Sequence, residues 1–84
     1  MTVGDCIRVH KLEDRTVVIT YRMILPDGTD IFAGACVYKD GGLTPVDHDN
    51  YSLGDEVVRC LVIPTTTDVW MDVWYESEWE ESSG

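Results

Sequence analysis

Three cysteines, two histidines and a dense set of carboxylates are the residues of this chain that could do chemistry. Asp47, His48, Asp49, Asn50 and Tyr51, followed by Asp55 and Glu56, invite a metal reading, because calcium loops use alternating oxygen ligands. An EF-hand loop needs glycine at its sixth position and glutamate at its twelfth. Counted from Asp47, those places hold Ser52 and Val58, so turn formation explains these residues better. Zinc needs four protein ligands, or three and a water. His10 and His48 offer no ligand spacing of that kind, and no metal or cofactor is expected. Cys6, Cys36 and Cys60 are odd in number and far apart, which fits neither a disulfide framework nor a C-x-x-C site. They read as reduced, buried thiols of a cytoplasmic protein. A nucleophilic triad would have to join one of them to a distant histidine with no local signature. Gly34, Gly41, Gly42 and Gly54 are not followed by the Gly-Lys-Ser/Thr of a phosphate loop. These exclusions leave no catalytic signature, and the expectation is a protein that is not an enzyme.

The carboxylates remain, and their distribution is uneven. In residues 1–39, Arg8, Lys11, Arg15, Arg22 and Lys39 balance Asp5, Glu13, Asp14, Asp27 and Asp30. Residues 40–84 therefore hold the whole net charge of −10, with Arg59 their single base. The excess sharpens where Asp68, Asp72, Glu76, Glu78, Glu80 and Glu81 interleave with Trp70, Trp74 and Trp79. Charge asymmetry speaks of partners more than of fold. Direct binding to nucleic acid or an anionic membrane is excluded, since phosphate binding requires clustered Lys and Arg. The partner expected is a basic protein surface.

Alternation decides how these side chains are presented. If residues 68–78 form a strand, Asp68, Trp70, Asp72, Trp74, Glu76 and Glu78 share one face, and Val69, Met71, Val73 and Tyr75 share the other. The second set is a core face. The first is an acid–aromatic stripe. Carboxylates at regular intervals beside flat rings imitate a nucleic-acid strand, and such a stripe fits a groove where aromatic residues stack on bases and basic residues hold the backbone. The expected partner-binding residues are this stripe, with Trp79, Glu80, Asp47 and Asp49. The competing reading covers Trp70 and Trp74 with the 40–56 loop or the first strand, leaving the carboxylates as a solvated rim that protects an edge.

The elements that must position the stripe read as strands throughout. A short first strand is expected at 7–9 and a long alternating one at 16–25, rich in β-branched residues. Pro26, Asp27 and Gly28 turn the chain into a strand at 30–39, where Ala33, Gly34 and Ala35 allow close packing. Asp40, Gly41 and Gly42 make a second turn. Residues 43–56 are irregular, with a short helical turn started by Ser52. Strands follow at 57–63 and 68–76, joined by Pro64, Thr65, Thr66 and Thr67. The expected class is all-β: a small antiparallel meander of about five strands, curled into a half-barrel or sandwich.

Eighty-four residues make one small domain, assigned to 1–79, with 80–84 as a frayed acidic tail. The hydrophobic fraction of 44% and the Val, Ile, Trp and Tyr content argue against disorder despite the charge. No basic and apolar leader opens the sequence and no apolar run approaches a membrane span. In size and acidity the chain resembles small acidic proteins encoded by phages and other mobile elements. The charge and the stripe lead to the expectation of an inhibitor that occupies a nucleic-acid-binding surface, as anti-CRISPR and anti-restriction proteins can. The alternative is a protein-binding adaptor or self-assembling module, such as a homodimer, with no nucleic-acid link.

Overall fold

The computed structural model describes residues 1–46 and 51–76. One helix and five strands follow in the order α1 (Val3–Val9), β1 (Val17–Ile24), β2 (Asp30–Lys39), β3 (Gly42–Pro45), β4 (Arg59–Pro64) and β5 (Val69–Glu76). The strands form one sheet in the order β3-β2-β1-β5-β4. The all-β class stands, with one short helix.

That helix replaces the strand expected at 7–9. Thr2 and Asp5 form a reciprocal capping box: the Asp5 amide donates to Thr2 Oγ1 at 3.1 Å, and the Thr2 amide donates to Asp5 Oδ2 at 3.0 Å. Val3, Cys6 and Ile7 recur at helical spacing and are all buried. The helix ends in a Schellman motif. Lys11 adopts φ 57°, its amide donates to the Arg8 carbonyl, and the Leu12 amide reaches back to the Ile7 carbonyl at 2.9 Å. The alternation of Ile7, Arg8 and Val9 was too short to separate period 2 from period 3.6. The pair Thr2 and Asp5 was the better signal.

The antiparallel meander is corrected as well. β1 pairs β2 antiparallel on one side and β5 in parallel on the other, with Val17 beside Val69 and Ile24 beside Glu76. The sheet is therefore mixed. Among the described residues the strands make a single sheet with α1 on one face, in place of a two-sheet sandwich. β3, paired from Cys36–Pro45 to Lys39–Gly42, lies in a stretch expected to be irregular. Its hairpin turns on Asp40 (φ 53°) and Gly41 (φ 83°), both left-handed, as a two-residue primed turn requires. At Ser52 the chain makes one tight turn, with no helix: the Asp55 amide donates to the Ser52 carbonyl, and the Ser52 amide to Asp55 Oδ2.

The core lies on the face that α1 covers. Val17, Ile19 and Tyr21 of β1, Cys36 and Tyr38 of β2, and Val69, Met71 and Val73 of β5 meet Val3, Cys6, Ile7, Leu12 and Val57 there. Residues 51–57 run beside α1. The Gly4 amide donates to the Leu53 carbonyl at 2.8 Å, and a Cβ at position 4 would stand 3.2 Å from that oxygen, so a side chain there would push the carbonyl back by a few tenths of an ångström. Tyr51 stacks on Tyr21 with ring centroids 4.3 Å apart. Burial, with the Cys36 thiol next in effect, holds the Tyr21 phenol well above the ordinary tyrosine range. Among the described residues no helix is long and apolar enough to cross a membrane. Residues 80–84, the expected tail, lie outside the described residues.

Candidate interaction face

Register and alternation give the sheet a second face, away from α1, built in rows across the strands. One row runs Val37, Val18, Trp70 and Ile63. The next runs Ala35, Thr20, Asp72 and Leu61, and the third Phe32, Arg22, Trp74 and Arg59. Asp30, Ile24 and Glu76 close it. Register slips at Tyr21 and Arg22, so that β2 carries an extra residue at Ala33, a β-bulge that resets the face so that Phe32 stands beside Arg22.

Large apolar groups are exposed on this face. Phe32 is 61% exposed, Leu61 51%, Trp70 44% and Ile63 43%. An open concavity of about 470 Å³ lies among them, lined by Thr20, Arg22, Phe32, Ile63, Trp70 and Asp72, with Thr65 at its rim. Thr65 is fixed by the β4–β5 turn, where its hydroxyl accepts from the Asp68 amide at 2.9 Å.

The stripe residues fare differently. Asp72 is half-buried, Glu76 is exposed, and Asp68 is exposed in the turn just before β5. Trp70 stays 44% exposed, so neither α1 nor the described part of the 40–56 loop covers it. Trp74 is only 9% exposed although it lies on the same face. Its indole Nε1–H donates to Asp30 Oδ2 at 2.6 Å, and the Arg59 guanidinium sits over its ring, 4.4 Å from the centroid. Trp74 is thus clamped by polar partners from β2 and β4. Glu78, Trp79, Glu80, Asp47 and Asp49 fall outside the described residues.

Reading β5 alone missed its neighbours. Arg22 and Arg59 flank Trp74 in register, so the face mixes Asp30, Asp72 and Glu76 with two arginines. Phe32, Leu61 and Ile63 were also missed as site residues. Alternation within 30–39 and 57–63 carried that signal, but which face each strand shares with β5 depends on pairing.

A second cluster lies on the α1 side. Cys60 Sγ is 3.9 Å from His10 Nε2 and beside the Cys6 thiol. Cys6 and His10 are four apart on α1 and its C-cap, the spacing that stacks side chains on one helix face. None of the three cysteines is in a disulfide; Cys6 and Cys36 are buried and Cys60 is half-buried. Among the described residues, no group of three or more His, Cys, Asp or Glu side chains is arranged to hold a metal ion. No protein-family model, no curated protein and no solved structure matches this chain.

Proposed function

We propose that this chain is a non-enzymatic, cytoplasmic interaction protein whose open sheet face occupies a basic nucleic-acid-binding surface of a target protein. The observation that carries the reading is the exposure of Trp70, Phe32, Leu61 and Ile63 together on one uncovered face of a protein with net charge −10. Contiguous exposed apolar surface of this kind marks interaction sites. Charge complementarity selects the occupant: Asp68, Asp72 and Glu76 meet Arg and Lys of the target, and acidic surface speeds capture of a basic partner. Trp70 supplies contact area of the type that dominates interfaces. Trp74, held by Asp30 and Arg59, lies further along the same face. The inhibition is steric and electrostatic competition with a nucleic acid, of the anti-CRISPR or anti-restriction type.

The test is capture from host-cell lysate, followed by challenge of each captured protein with duplex DNA and with salt. A nucleic-acid enzyme that DNA displaces, and that Asp72→Lys with Glu76→Lys no longer captures, supports the reading. Capture that survives both the reversal and 0.5 M salt, where the Debye length is about 4–5 Å, sinks it.

One observation favours a second reading, self-assembly. β4 is an edge strand, paired to β5 alone, and carries exposed Leu61 and Ile63. A free edge adds to a partner's sheet. Under that reading the chain forms a dimer that depends on concentration and resists salt, seen by size-exclusion chromatography.

A further inference from the structure

The cluster of Cys6, His10 and Cys60 plays no part in the interaction face, which lies on the opposite side of the sheet. We propose that Cys6 and Cys60 form a redox modification site, closed by a peroxide into a reversible disulfide that ties α1 to β4. Three observations carry this. Cys6 lies one helical turn before His10 and packs in the same core cluster as Cys60, although 54 positions separate the two cysteines in sequence. The imidazole of His10 stands 3.9 Å from the Cys60 sulfur. Exposure divides the labour, since Cys60 is half-buried and Cys6 is 1% exposed.

The order of events follows from that division. Cys60 is the sulfur a peroxide reaches, and His10 is placed to take its proton. The thiolate attacks one peroxide oxygen, the O–O bond breaks, and Cys60 becomes a sulfenic acid while the proton leaves with the second oxygen as water. The Cys6 sulfur then attacks the Cys60 sulfur. The S–O bond breaks, and a second water departs with the Cys6 proton. Two thiols lose two electrons, and the peroxide gains them. Burial pushes the Cys6 thiol up to about 12, with Cys60 adding to the shift, which keeps it protonated and unreactive until a sulfenic acid forms beside it. Cys36, on β2 and in the row of Ile19 and Met71, takes no part.

A disulfide needs Cα atoms within about 4.4–6.8 Å, so closure requires Cys6 of α1 and Cys60 of the edge strand β4 to meet at that separation. In a reducing compartment the pair rests as thiols, and a disulfide there is transient and sensing.

The experiment treats the reduced full chain with hydrogen peroxide at near-stoichiometric amounts. Remaining thiols are alkylated in denaturant, and intact mass and peptide mapping follow. The expected product is a monomer about 2 Da lighter that carries one alkyl group, on Cys36, and is restored by dithiothreitol. Its Tm rises above that of the reduced chain, because the cross-link restricts the unfolded ensemble. Cys36→Ala keeps the mass loss, Cys60→Ser abolishes it, and His10→Asn slows it severalfold. A product linked through Cys36, an intermolecular dimer as the main species, or full alkylation of Cys6 and Cys60 after peroxide would overturn the proposal. Peptide mapping of the wild-type chain decides this even if a variant fails to fold.

Discussion

Alternate residues of β5 build two unlike surfaces. Val69, Met71 and Val73 are buried in the core to which α1 contributes Val3, Cys6 and Ile7. Trp70, Asp72, Trp74 and Glu76 face away, with apolar rings, carboxylates and two arginines in the same rows. One strand therefore serves stability on one face and leaves the other free for recognition. Burial in the first is achieved by shape. In the second, Trp74 is buried by a hydrogen bond and a cation, and Trp70 stays 44% exposed. Apolar character alone does not distinguish the faces; what covers them does.

The sharpest way to break the contrast is to open the core. Met71→Ala removes a fully buried side chain and leaves a cavity, and should cost about 2–5 kcal/mol in urea or guanidinium unfolding. In a domain of 84 residues that is a large share of the total stability. Trp74→Phe tests whether the open face also contributes. Loss of the Asp30 bond and the Arg59 stack should cost about 1–3 kcal/mol, and an Asp30→Ala double-mutant cycle should show coupling. Thr2→Ala removes the cap that holds α1 over the core, and should cost about 1 kcal/mol. Phe32→Ser, on the uncovered face, should stay within about 1 kcal/mol while weakening capture of the target. A loss as large as that of Met71→Ala would make the two faces equivalent and remove the contrast.

The smallest effect is electrostatic. Hydrogen bonds from the Thr2 amide, and then from its side chain, lower the Asp5 pKa, with Arg8 contributing after them. A folded-state value below the unfolded one means stability that is present above about pH 4, the unfolded carboxylate value, and lost as pH falls through the depressed value. Asp5→Asn should therefore flatten the Tm–pH curve below about pH 4 relative to the wild type.

Much of the fold was legible in the chain itself. The alternation of Val17, Ile19 and Tyr21, and of Val69, Met71 and Val73, sorts the side chains of β1 and β5 into two faces because a strand's side-chain period is a local property. The turns at Gly28, Gly41 and the threonines after Pro64 were equally local. The same locality explains the failures. Ile7, Arg8 and Val9 are too few to define a period, and Gly42–Pro45 gains its strand character from pairing with β2. The acid–aromatic stripe was visible on β5, but its arginine neighbours were not.

Sequence by itself thus determined the places of β1, β2, β4 and β5, where most turns fall, and how lopsided the charge is. Only the tertiary structure decided that β1 and β5 run parallel, that Asp30 grips Trp74 from 44 positions away, and that Cys6, His10 and Cys60 meet. The physical reason is distance along the chain. Periodicity and turn chemistry act over a few residues, whereas strand order and side-chain meetings are fixed by burying all the apolar faces at once, a condition that no segment can satisfy alone.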